Sequence, residues 1–326
     1  MNDMEQMPES ETNKYTFTVF IPTYNRAHTL GRALQSIANQ TFRDLEVLII
    51  DDGSTDDTCR LIEEWRERAW YPIHYFWQQN QGKTTAHNNA LAHAKGFFFV
   101  LLDSDDMLHP RALERFKSAW DAIPKNETGA FAGIEGLCVD TNGNVSGTLY
   151  PKTRMNSNYL EITKKYGVTG EKKSAIRTAI LRRFPYPHFE GERHIRDDII
   201  WKRISHHYRF LYINEIVQII EYQPDGLSAD VFSLRMENPK GFRFYFLEEI
   251  NVNAPFTKKP LLFKYHSKFV RYSLHSKVGL FQQYREVNSR LLWLLSVPRG
   301  IIGWFEDCIK MRLRVVCTSW REQENP

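Results

Sequence analysis

From Tyr15 the chain alternates between short apolar runs and longer amphipathic stretches. The run YTFTVFI (15–21) is β-branched and aromatic and predicts a strand. After the turn PTYNR, Leu30, Leu34 and Ile37 recur at helical spacing. LEVLII (45–50) is a continuous apolar run, the kind a parallel sheet buries on both faces. DDGSTDDT follows, with Ser54 or Thr55 expected to cap a helix that turns Leu61, Ile62 and Trp65 to one side. IHYFWQ (73–78) predicts a third strand, and GKTTAHNNALAHAKG a helix closed by Gly96. FFFVLL (97–102) predicts a fourth strand, and HPRALERFKSAWDAI a helix with Leu113, Phe116 and Trp120 inward.

Strands and helices in this strict alternation predict an α/β fold with a doubly wound parallel sheet. Ligands of such sheets bind outside the carboxyl ends of the strands, and helix N-termini there favour anions such as a diphosphate. Three polar loops, PTYNR, DDGS and DSDD, fall at that edge. Beyond residue 130 the periodicity is weaker. FAGIEGLCVD and TNGN predict a hairpin arm, and a looser region carries GEKK (170–173), FEGERHIRDDIIWKRI (189–204) and YRFLYINEIVQII (208–220). From about residue 240 the chain reads as helical, rich in aromatics, Lys and Arg.

The chain has 326 residues, enough for one large domain or one domain with an appendage. With 42% hydrophobic and 25% charged residues it reads as a soluble globular protein. The net charge of +4 gives no argument for nucleic acid, but its distribution is uneven. From Lys258 onward there are 13 Lys/Arg and 5 Asp/Glu, a balance of +8, so the rest sums to −4. Cys59, Cys138, Cys308 and Cys317 are scattered without metal-ligand spacing and read as free thiols of a reducing, cytoplasmic compartment. Residues 1–14 are acidic and polar, lack a signal peptide's apolar core, and are expected to be a disordered tail. No run approaches the roughly 18 apolar residues of a membrane span.

Candidate chemistry concentrates at the strand ends. Asp103, Asp105 and Asp106 crowd three carboxylates at the mouth of a buried strand. A surface loop with an Asx-type cap accounts for any one of them. A divalent cation, Mg²⁺ or Mn²⁺, accounts for all three together, because hard oxygen ligands suit it and it brings phosphate oxygens with it. Asp51 and Asp52 in DDGS read as a turn, or as acceptors for a base or ribose. GKTT has Trp77 where a P-loop needs glycine, so no Walker A site is present. Lys83 is then either a phosphate contact or a solvated lysine. No GxGxxG follows the first strand, and HExxH and GxSxG are absent. Asp197 and Asp198, with Glu192 upstream, read as the acidic start of an amphipathic helix or as site residues.

These motifs in this order resemble a family 2 glycosyltransferase with the GT-A fold. The matching stretches are TVFIPTYNRAHTLGRALQSIANQTF (17–42), LEVLIIDDGSTDDT (45–58), NQGKTTAHNNALAHAKG (80–96), FFFVLLDSDDML (97–108) and, more loosely, FEGERHIRDDIIWKRI (189–204). The resemblance implies a Rossmann-like, mostly parallel sheet flanked by helices over residues 15–225. Its nucleotide-sugar half would run to about 125 and its acceptor half over 126–225, with a helical, basic extension at 226–326. It implies that Pro22, Thr23, Tyr24 and Arg26 line the nucleotide, that Asp52 meets the base with Asp51 beside it, and that Lys83 lies near the diphosphate. Asp103, Ser104 and Asp105 would form the family's DxD element. Asp105 would be the direct ligand of Mn²⁺ or Mg²⁺, and Asp103 a contact to ribose or metal-bound water. The family's Glu-Asp at the general-base position reads Asp197-Asp198 here, one methylene shorter, so either could be the base.

The implied reaction is metal-dependent, inverting transfer from a nucleoside-diphosphate sugar to a saccharide or lipid-linked saccharide. The setting would be bacterial surface polysaccharide synthesis such as lipopolysaccharide, with no nucleic-acid partner. Two alternatives stand beside it: a sugar nucleotidyltransferase, and a non-catalytic nucleotide- or sugar-binding homologue. Residues 255–326 read either as a helical appendage or as an interfacial surface that rests on anionic lipid at the inner face of the membrane.

Overall fold

The computed structural model describes residues 13–223 and 230–323, with side chains described as far as Arg314. The expected tail (apart from residues 13 and 14) and the expected domain boundary at 225/226 lie outside the described residues. The chain forms two compact units: residues up to 186 together with 200–224, and residues 187–199 together with those from 225 onward.

In the first unit the predicted alternation is present. It runs β1 (Tyr15–Thr23), α1 (Ala27–Ala38), β2 (Leu45–Asp51), α2 (Thr58–Arg68), β3 (Ile73–Trp77), α3 (Lys83–His93) and β4 (Gly96–Leu101). There follow β5 (Met107–Leu108), α4 (Ala112–Asp121), β6 (Phe131–Val139), β7 (Arg154–Ser157), β8 (Lys172–Arg177), α5 (Thr178–Leu181), α6 (Asp198–Ser205), whose first two residues are counted with the second unit, and β9 (Arg209–Ile219). The sheet order is β3-β2-β1-β4-β8-β6-β9-β5, with β7 against β9. The first four strands are mutually parallel, and β8 joins β4 antiparallel. All seven residues of β2 are buried, as its continuous apolar run predicts for a strand covered on both faces. Phe17, Val19, Ile21, Val47, Ile49 and Phe98 form the core with Leu30, Leu34 and Ile37 of α1.

Three local expectations are corrected. FAGIEGLCVD is no protruding arm: β6 is buried along all nine residues between β8 and β9, and the bridge Val139–Val145 is the hairpin's remnant. Gly96 does not close α3, which stops at His93; it opens β4. A Cβ at Gly96 would lie 2.2 Å from the Thr18 backbone nitrogen, so glycine is needed for strand contact here. Ser54 and Thr55 do not cap α2. The Asp56 carboxylate accepts from Thr58 N at 3.1 Å, while Ser54 Oγ accepts from Asn25 N.

The second unit is helical: α7 (Val231–Glu237), α8 (Pro239–Asn251), α9 (Lys259–His275), α10 (Leu280–Glu286) and α11 (Arg290–Gln323). Phe242, Phe246, Phe269, Tyr272 and Trp293 are buried in it, and Phe246 stacks on Tyr272 at 5.6 Å. Asp307 is buried and accepts from both Arg271 and His275. Glu192 accepts from the backbone N–H of Lys240 and of Gly241 at 2.7 Å each, filling the N-terminus of α8.

Candidate active site

The parallel register brings the strand ends side by side. Thr23 pairs with Asp51, and Asp51 with Trp77. Asp52 N donates to Thr23 O at 2.8 Å, and Leu102 N to Phe20 O at 2.8 Å. PTYNR, DDGS and DSDD therefore share one edge, where an open parallel sheet binds its ligands. Pro22 and Thr23 are buried, and the Tyr24 ring is half exposed above them. Asn25 takes a left-handed φ of 52°. Its Oδ1 accepts from Thr55 N at 2.8 Å, which ties the turn after β1 to DDGS. Arg26 stands at the start of α1.

Asp51 and Asp52 are both buried, and both are committed to the protein. Asp51 accepts from Ser54 N at 2.8 Å and from the Tyr75 hydroxyl at 2.9 Å. Asp52 accepts from Gln81 N and Gly82 N at 2.8 Å and from Gln78 Nε2 at 2.7 Å, clamping the loop that leads into α3. That loop presents Lys83, whose Nζ lies 2.6 Å from Asp103 Oδ1. Lys173 on β8 approaches the other Asp103 oxygen at 3.9 Å. Burial alone would raise the Asp103 carboxyl, but Lys83 and then Lys173 outweigh it and hold it at about 2.

The other two carboxylates diverge. Asp106 turns back into the sheet, accepting from Gln218 Nε2 at 2.6 Å and Glu221 N at 3.1 Å. Burial, and then the charge on Asp103, pushes it up to about 7. Asp105 is raised by burial and next by Asp103. Among the described residues its carboxylate has no side-chain hydrogen bond or ion pair, only its own backbone N–H against it, and Ser104 between the acids is buried. Also among the described residues, no group of three or more His, Cys, Asp or Glu is placed to hold a metal ion. The donor set thus suits a cation held by Asp105 and completed by oxygens from a substrate phosphate, not a cage made by the protein.

In the second unit, Asp197 is exposed and Asp198 opens α6. Asp198 accepts from Arg196 Nε at 3.1 Å and from the Tyr245 hydroxyl at 3.0 Å.

The family described as Glycosyl transferase family 2 matches residues 18–184, half of the chain. The chain belongs to glycosyl transferase family 2. Among curated relatives, chondroitin synthase of Escherichia coli is 44% identical over 98 residues, 30% of this chain and 14% of the relative. GalNAc(5)-diNAcBac-PP-undecaprenol beta-1,3-glucosyltransferase of Campylobacter jejuni is 35% identical over 132 residues, 40% of each chain. The match therefore takes in well under two thirds of these relatives' lengths. Among solved structures, S. aureus TarS 1-349 in complex with UDP-GlcNAc superposes with a TM-score of 0.59 at 20% identity, over 88% of this chain and 81% of that one. The mannosyltransferase PcManGT from Pyrobaculum calidifontis, in complex with GDP-Man and Mn2+, gives 0.53 at 18%, over 91% and 88%. The expected GT-A architecture is borne out by these likenesses, whose coverage reaches into the helical C-terminal part.

For this family 2 member, reading the motifs did not find Lys173, Gln78 or Gln218. GEKK was noted, but only the β4–β8–β6 pairing shows that its second lysine points at Asp103 while the first bonds Ser146 O and Thr169 O.

Proposed function

We propose that the chain transfers a sugar from a nucleoside diphosphate to a hydroxyl of a saccharide or lipid-linked saccharide, with inversion, in bacterial surface polysaccharide synthesis. The supporting observation is the Asp105 carboxylate at the mouth of β4, unengaged by neighbours and raised by burial, beside an Asp103 already neutralised by lysine. Asp105 would hold Mn²⁺ or Mg²⁺, which, when bound, neutralises charge on the leaving diphosphate. Lys83, released from Asp103 when a phosphate competes for it, supplies a second positive charge at the same edge. Tyr24 offers a half-exposed ring for a base to stack on. Asp52 positions the loop carrying Lys83, and it reaches a base only if Gln78 gives way. A carboxylate is needed to take the acceptor proton, and Asp197 or Asp198 fills that role. Asp197 is the more exposed of the two, and Asp198 accepts from Arg196 and Tyr245. The work place proposed is cytoplasmic, with peripheral contact at the membrane's inner face.

Calorimetric titration of a panel of nucleoside diphosphates, with and without Mn²⁺, tests this on the wild type and on Asp105→Ala. Metal-enhanced binding of one nucleotide, lost in Asp105→Ala, is expected. Binding that ignores both the metal and the substitution would remove Asp105 from the role, and no nucleotide binding at all would overturn the reading.

A further inference from the structure

The longest helix carries two opposite faces. On α11, Trp293, Ser296, Gly300, Gly303 and Asp307 are buried, recurring every three or four residues. Half a turn away, Leu291, Leu294, Ile302, Phe305, Ile309 and Leu313 are 54–73% exposed. With a rise of about 1.5 Å per residue, this second row is a continuous apolar strip about 33 Å long. Isolated exposed leucines are ordinary, but a strip of large side chains rimmed by polar groups marks an interaction surface.

The rim is cationic. Arg290, Arg299, Lys310 and Arg312 are exposed around the strip, and Glu306 is the exposed acid between them. Asp307 adds no charge to the surface, because it is buried against Arg271 and His275. No helix among the described residues is long and apolar enough to cross a membrane, and Pro298 and Arg299 break the apolar run in the first third of this one. A second copy of the chain is a poor occupant. Parallel pairing sets each arginine beside itself, and antiparallel pairing about Ile302 sets Arg290 near Arg312.

We propose that this face of α11 lies flat on an anionic lipid surface. The strip from Leu291 to Leu313 enters the boundary between headgroups and acyl chains, and Arg290, Arg299, Lys310 and Arg312 meet the lipid phosphates. The proposal gives the peripheral membrane contact a defined face and a lipid chemistry. It rests on that part of the functional reading and is independent of the donor chemistry.

Flotation of the full chain with vesicles of phosphatidylcholine, alone or mixed with phosphatidylglycerol, tests it. The wild type is expected to float with the mixed vesicles, weakly with the neutral ones, and less as salt rises. Ile302→Glu with Phe305→Glu should abolish flotation. Arg299→Glu with Arg312→Glu should weaken it about tenfold or more. Circular dichroism and donor titration of both variants, matching the wild type, show that the fold and donor site are intact. A failed membrane assay is thereby kept apart from a failed transferase reading. Wild type that stays unbound, or a strip variant that floats as well as wild type, overturns the proposal. So does a dimer in sedimentation equilibrium that the strip variant dissolves without any vesicle binding, since a second copy would then be the occupant.

Discussion

Lys83 at the first position of α3 and Asp103 just past the end of β4 meet at 2.6 Å, Nζ to Oδ1. The contact ties the first residue of α3 to the turn that follows β4, the next element along the chain. It also makes Asp103 a carboxylate balanced by lysine before any cation arrives, with Lys173 as the second contributor.

Replacing Lys83 with methionine removes the nearer of these charges and leaves Lys173. The Asp103 carboxyl should then rise from about 2. Nucleoside diphosphate affinity should fall about tenfold, the size of one charge-assisted contact. Calorimetry with and without Mn²⁺ checks it. The loss should be larger without the metal, because Lys83 is then the main positive charge at the edge.

Asp52→Ala tests whether Asp52 is first a structural clamp. The substitution strips the acceptor from two backbone N–H groups and the Gln78 amide. Unpaired buried donors cost about 1–3 kcal/mol each; these three are only partly buried and water can reach them, so urea unfolding should show a loss of roughly 2–4 kcal/mol in all. Asp52→Asn keeps one acceptor oxygen and should lose about half of that.

Glu135 is buried on β6 and accepts from the Tyr150 hydroxyl at 2.9 Å and Ser174 Oγ at 2.8 Å. Burial raises its carboxyl above 4.5 despite both hydrogen bonds. The folded chain therefore holds a proton that the unfolded chain has released, so the contribution to stability falls as pH rises from about 4.5 through the raised value. In Glu135→Gln this loss should vanish. Unfolding measured across that range should give a flatter profile, by about 1.4 kcal/mol for each unit of upward displacement.

Gly96→Ala and Gly31→Ala should differ in sign. A methyl at Gly96 meets the Thr18 backbone nitrogen at 2.2 Å, whereas at Gly31, within α1, it meets nothing within 4 Å. The first should cost about 3 kcal/mol by forcing β1 and β4 apart. The second should stabilise by about 1 kcal/mol through helix propensity. Thermal melts of the two variants decide it.

The four parallel strands and the loops at their ends could be read in advance because local signals agree there. A run such as LEVLII can only be a strand covered on both faces, and the polar motifs begin where those runs stop. The parts that could not be read depend on partners far along the chain. FAGIEGLCVD looks like a hairpin because TNGN follows it, yet pairing with β9, 77 to 80 residues later, sets β6 inside the sheet. Asp103, Asp105 and Asp106 are alike in sequence, but Lys83, solvent and Gln218 give them three different environments. Likewise, nothing local in GEKK separates Lys172 from Lys173, because strand alternation decides which of them faces Asp103.

The bond from Gln218 to Asp106 also orders events during synthesis. The two residues are 112 positions apart. At about 5–20 residues per second, a ribosome takes roughly 6–22 s to deliver the second after the first. Throughout that interval β1 to β4 can already pair and Leu108 N can donate to Ser36 Oγ on α1, but Asp106 still lacks its donors from Gln218 and Glu221. A nascent chain halted before residue 218 should hold a folded half-sheet in which Asp106 is unpaired, so the final setting of the Asp103–Asp106 turn would arrive late and in one step.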